Sequence, residues 1–191
     1  MNRRTRLSFQ TLEDRCVPST ALDFTAVQQE EPKDSHPGTA GWQFTPTQDL
    51  TVTKLGVYDL GGDGLAQSHQ VAIWDAGGAM QVQATVSGGE YDNNFWYVSV
   101  PAVVLHAGQP YLIGVAYLAN EPDLISGSPI GLTTDSITLQ WSRYHVGPGL
   151  VPPTSIGGPT VPAYLGPNFQ FTTAPDLAAT SPTWNTAQGG V

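Results

Sequence analysis

The sequence predicts an all-β domain, an antiparallel jelly-roll-like β-sandwich, flanked by a disordered N-terminal leader and a disordered C-terminal tail. Three observations predict it. From Gly41 to Thr173, short runs of Val, Ile, Leu, Tyr, Phe and Trp alternate with Gly, Pro, Asn and Asp, the punctuation of strands and turns. No window carries a sustained apolar period of 3.6, so helix is minor. Strands without intervening helices favour antiparallel pairing in stacked or closed sheets.

Residues 1–40 begin with the basic "MNRRTRLSFQTLEDRCVPST" and continue with the polar, Pro-broken "ALDFTAVQQEEPKDSHPGTA". They read as leader and linker, both disordered. Strands are expected near 41–46, 50–58, 68–75, 80–86, 95–100, 103–105, 110–118, 130–142 (broken) and 168–173. In "LTVTKLGVYD" the apolar phase slips between Val52 and Leu55, which predicts a bulge near Thr53 or Lys54. In "YLIGVAYL", Tyr111, Ile113, Val115 and Tyr117 share one face, and Leu112, Gly114, Ala116 and Leu118 the other. Both faces are apolar, so this strand is central and covered on each side. The Pro- and Gly-rich stretch 146–167 cannot be a central strand; it is expected to be mobile or to wrap the domain, and it could wall a cleft. Residues 174–191 form a low-complexity tail.

The chain has 191 residues, room for one domain with ragged ends. Its formal charge is −9, and from Cys16 onward Lys33, Lys54 and Arg143 face fourteen acids. Such a surface repels phosphate backbones, so nucleic acid is excluded as a partner. No apolar run approaches the ~20 residues of a membrane span. A single cysteine, Cys16, allows neither an internal disulfide nor a cysteine metal cluster.

The stretch "YDLGGDGLAQSHQVAIWD", residues 58–75, holds the densest chemistry. A phosphate cradle is rejected, because a strand follows the glycines where a helix should, and no lysine is present. Calcium is an alternative: Asp59, Asp63 and Asp75 are hard oxygen donors, though their spacing is not that of an EF-hand. The favoured reading is structural. Asp59 lies on the side of Leu55 and Val57, and His69 on the side of Val71 and Ile73. If the two strands are neighbours, Asp59 and His69 form a polar staple across the loop mouth, with Asp63-Gly64 turning at positive φ. No catalytic residues are assigned. An enzyme would have to use Asp59, Asp63 and His69, because Ser68 points away from its neighbour His69 and no zinc spacing is present. Trp74, Trp96 and Trp141 are candidates for a platform that stacks on sugar rings.

Two resemblances add to this. "RLSFQTLEDRCVPS" resembles the short leader, with a Leu-Glu-Asp/Pro-Arg core, of many bacterial surface proteins. "GWQFTP", "VTKLGVYD", "GDGLAQSHQVAIWD", "LHAGQPYLIGV" and "YLGPNFQF" resemble, in this order, a bacterial extracellular domain family of unknown function. That family accompanies some secreted carbohydrate-active enzymes. The resemblance implies an extracellular or cell-surface β-sandwich and no established reaction. The expected function is a non-catalytic exported module that binds or packs against a surface glycan or protein. The alternatives are a secreted hydrolase and a Ca²⁺-stabilised structural module.

Overall fold

The computed structural model describes residues 18–32, 36–157 and 165–173. Along the chain run β1 (Ser19–Thr20), β2 (Leu22–Asp23), β3 (Ala26–Pro32), β4 (Gly38–Pro46) and β5 (Leu50–Tyr58). After a 3₁₀ turn at Leu60–Gly62 come β6 (His69–Asp75), β7 (Met80–Val86), β8 (Glu90–Asp92), β9 (Phe95–Leu105) and β10 (Tyr111–Tyr117). The remainder is β11 (Leu124–Ile130), β12 (Thr133–Thr134), β13 (Ile137–Val146), β14 (Ser155–Ile156) and β15 (Pro167–Thr173). Among the described residues no helix is long and apolar enough to cross a membrane.

All strand pairs are antiparallel. One sheet has the order β1-β15-β5-β9-β8, the other β14-β13-β4-β10-β6-β7. The chain crosses between them at most connections, the β6–β7, β8–β9 and β13–β14 connections excepted. With β13 and β14 added at one edge, the order β1-β15-β5-β9 facing β4-β10-β6-β7 is that of a jelly roll. Two short ribbons, β11–β3 and β12–β2, complete the pairing.

The predicted side-chain alternation builds the core. Trp42 and Phe44 of β4, Val71 and Ile73 of β6, and Ile113 and Val115 of β10 point inward from one sheet, all fully buried. Val52, Leu55 and Val57 of β5 and Phe169 and Phe171 of β15 meet them from the other. Each such side chain removed from water contributes about 1.5–3 kcal/mol. Aromatic rings join the layers: Phe169 lies 6.0 Å from Trp42 and 5.2 Å from Phe44. Buried indole N–H groups need acceptors, and Trp42 Nε1 donates to Pro167 O in the opposite sheet at 2.9 Å.

The slip in β5 is a bulge where expected. Its register shifts between Val52 and Lys54 against β9, and β15 shifts opposite it between Gln170 and Phe171. On β9 the irregularity absorbs Pro101, so the two strands expected over 95–100 and 103–105 are one strand, Phe95–Leu105. β10 is central, between β4 and β6. Its outer face is met at Gly114 by Pro153, which would stand 3.2 Å from an added Cβ. Thr39 Oγ1 donates to Gly149 O (3.2 Å) and accepts from Val151 N (3.1 Å). The Pro-rich stretch thus wraps the outside of the sheet over residues 147–157, while 158–164 lie outside the described residues.

Two boundaries need correction. The broken strand expected over 130–142 is β13, Ile137–Val146, preceded by β11 and β12. The linker expected up to residue 40 begins the domain instead. Ser19 and Thr20 pair with Phe171 and Gln170, and Ala21, Leu22 and Phe24 belong to the core. Asn168, fully buried, secures this segment: Oδ1 accepts from Leu22 N (3.2 Å) and Phe169 N (2.9 Å), and Nδ2 donates to Leu22 O (2.9 Å). The expected leader up to residue 17, with Cys16, and the expected tail 174–191 lie outside the described residues.

Replacing Asn168 with Ala leaves both backbone groups of Leu22 without their side-chain partner. We expect a loss of about 2–3 kcal/mol in urea unfolding and faster proteolysis N-terminal to Thr25. A variant as stable as the parent would show that this docking contributes little.

Candidate functional site

His69 opens β6, the inner-face position beyond Val71 and Ile73. Val71 pairs with Val115 of β10, so two residues further along the imidazole faces Tyr117, their ring centroids 5.1 Å apart. The chain leaving β10 then folds back over the histidine. Nε2 lies 2.7 Å from Asp123 Oδ2 and 3.0 Å from Glu121 Oε1, and Nδ1 lies 3.3 Å from Ala116 O. The side chains of His69 and Glu121 are each 1% exposed and that of Asp123 11%.

Asp123 also joins two loops. Its Oδ1 accepts from Ala66 N (2.8 Å) and its Oδ2 from Gln67 N (3.0 Å). Glu121 Oε2 accepts from Leu118 N at 2.5 Å. The end of the glycine loop and the β10–β11 connection are therefore held by one carboxylate, which also faces the histidine.

Burial disfavours the imidazolium and is the largest single influence on His69. The contacts with Glu121 and Asp123, with the Ala116 carbonyl, together outweigh it and raise the pKa above its ordinary value. Burial pushes the Tyr117 hydroxyl far up, and the charges of Glu121 and Asp123 push it further.

The expected Asp59–His69 staple is not formed. Asp59 follows β5 and His69 opens β6, and these strands lie in different sheets, because β5 pairs with β9 and β15 while β6 pairs with β7 and β10. Asp59 makes a separate staple. Its Oδ2 accepts from Trp96 Nε1 (2.6 Å) and Gly64 N (3.0 Å), and its carbonyl accepts from Tyr91 Oη (3.1 Å). Gly64, with φ of 108°, supplies the expected positive-φ turn. At Gly62 a Cβ would stand 2.6 Å from the Tyr91 ring.

Asp59, Asp63 and Asp75 do not assemble the expected calcium site. Asp75 ends β6, roughly 20 Å from His69 at strand spacing. There it caps the β6–β7 turn through Gly77 N and Ala79 N, both at 2.9 Å. Asp63 is exposed. Among the described residues, the only set of three or more His, Cys, Asp or Glu whose ligand atoms lie within 4.8 Å of one another is His69, Glu121 and Asp123. The pairing of Asp59 with His69 that the enzymatic alternative would use is likewise not formed: Asp59 bonds Trp96 and Gly64, and His69 bonds Asp123.

Of the three tryptophans, Trp74 points to the outer face of its sheet but is only 2% exposed. It is therefore not an outward platform. Trp96 is half-buried, bound to Asp59 and packed 5.1 Å from Tyr91. Trp141 is 42% exposed, in the bulge where β13 shifts register between Leu139 and Ser142. Two residues on, Arg143 lines an outer-face cleft of about 250 Å³ with Gln43, Leu112, Tyr111 and Thr154. Nη1 donates to Thr154 O (3.0 Å), Nη2 donates to Gln43 Oε1, and the buried Nε has no partner.

Sequence reasoning missed Glu121, Asp123 and Arg143. Only the β6–β10 register would have shown that "NEPD", just past Tyr117, falls on His69. Arg143 could have been noticed as one of two basic residues within 41–173. The chain matches no known family model and no curated protein.

The folded His69 pKa lies above the unfolded value of 6.5. Its stabilisation is therefore complete below that value and is lost as pH rises through the folded one. In chelator-containing buffer, the melting-temperature gap between the parent and His69→Gln should be widest near pH ~6 and shrink toward pH ~9. A gap that widens with pH would contradict this assignment. Asp123→Ala, which also releases the amides of Ala66 and Gln67, should cost about 3–5 kcal/mol in denaturant unfolding.

Proposed function

We propose that this chain is a non-catalytic, exported β-sandwich module that binds a surface glycan through the outer face and edge of its six-stranded sheet. One observation carries the reading: Trp141 stands exposed at a bulge of β13, on the same strand as the guanidinium that lines the outer-face cleft. A sugar ring needs an apolar face to stack on and donors for its hydroxyls. Trp141 supplies the first, and Arg143 and Gln43 the second.

A further apolar side chain enriches this edge. Ile156, which pairs with Arg143 on the edge strand β14, is exposed as well, and exposed apolar groups beside one another mark interaction surfaces. Arg143 has no carboxylate partner among the described residues, in a chain whose acids far outnumber its bases. A glycan carrying a carboxylate would complete its guanidinium fork. The leader and domain resemblances support export to the cell surface.

A glycan array and affinity electrophoresis in envelope polysaccharide test the reading. Binding to uronate-containing glycans is expected, with Trp141→Ala weakening it about tenfold, or ~1.4 kcal/mol. Arg143→Gln should abolish the preference for acidic over neutral sugars. A blank array, or a Trp141→Ala protein that binds like the parent, would rule out the glycan reading.

A further inference from the structure

We propose that His69, Glu121 and Asp123 bind a divalent first-row transition ion, with Zn²⁺ as the reference ion, which fastens the loop after β10 to the start of β6.

The first support is a mismatch of protons and acceptors. His69 Nε2 can carry one hydrogen, yet two carboxylate oxygens converge on it, at 2.7 and 3.0 Å. The hydrogen bond goes to Asp123. Glu121 Oε1, on a side chain that is 1% exposed, has no hydrogen-bond partner. Buried carboxylate oxygens without partners are costly, and such an orphan calls for an ion or a water. The buried Tyr117 hydroxyl, on the ring that faces His69, is a second polar group without a partner, and it lies near Gly166.

Charge points the same way. An imidazolium between two carboxylates leaves one net negative charge out of water, whereas a neutral imidazole with a divalent cation leaves none. The histidine is oriented for this role. Nδ1 faces the Ala116 carbonyl, the usual partner of the non-ligating nitrogen in metal-bound histidine, and that arrangement leaves the Nε2 lone pair for the ion.

One nitrogen and two carboxylate oxygens form a donor set for zinc and its neighbours. Calcium is disfavoured, because it takes six to eight oxygen ligands and avoids imidazole. Ligands around a tetrahedral zinc stand about 3.3 Å apart, so the carboxylates must draw back by roughly half an ångström.

The test uses the full chain, stripped with chelator and then titrated with ZnCl₂ by calorimetry and thermal melting. We expect one Zn²⁺ per chain and a rise in melting temperature that grows with free zinc, with no comparable rise for Ca²⁺. Glu121→Gln should bind Zn²⁺ at least about tenfold more weakly. The double variant His106→Gln, His145→Gln should bind as the parent does. A melting temperature indifferent to Zn²⁺, parental binding by Glu121→Gln, or loss of binding in the His106/His145 variant would each overturn the proposal. Should Glu121→Gln not fold, the Co²⁺ spectrum of the parent decides. Intense visible bands of a four- or five-coordinate site support the proposal, and the weak spectrum of the hydrated ion overturns it.

Discussion

Two sheets, each with one apolar face, must close on each other, and the ring contacts of Trp42, Phe44 and Phe169 make the closure. Side chains alternate strictly along a strand, so slipping β4 or β15 by one residue would turn these rings outward. Trp42 adds direction to burial, because its indole N–H reaches a carbonyl of the facing sheet. Packing and hydrogen bonding thus specify one register between layers that share no backbone ladder.

Polar corners follow from that closure. Where the inner faces end, side chains continue the strand phase, and the first is a histidine. The connection after β10 places Glu121 and Asp123 around it, and Asp123 takes the amides that end the glycine loop. On the opposite sheet Asp59 does comparable work for the start of the same loop through Trp96 and Gly64. The loop therefore has two anchorages, one in each layer. Its glycines serve positive φ at Gly62 and Gly64 and close approach to the Tyr91 ring at Gly62.

Much of the architecture was legible because alternation and turn chemistry are local. The bulge beside Lys54 and the two-faced burial of residues 111–117 could be read from the order of side chains alone. What failed was non-local. Asp59 and His69 are close in sequence, but the chain crosses between sheets there, which separates them and hands each to a distant partner. Trp74 sits on an outer face, and its burial depends on cover that alternation does not reveal. Residues 19–32 are polar enough to pass for a linker; their order comes from β15, β11 and β12, which follow far later in the chain. The candidate ion site was missed for the same reason, since its two carboxylates lie some fifty residues beyond the histidine.

The side chain of Asn168 grips the backbone of Leu22 across 146 positions. A ribosome elongating this chain exposes the first strand long before the last, so the early segment waits without its ladder until nearly the whole domain has emerged. Closing a loop of that span is entropically slow. The nascent polypeptide consequently spends its synthesis with an unsatisfied sheet edge, a state on which chaperones act.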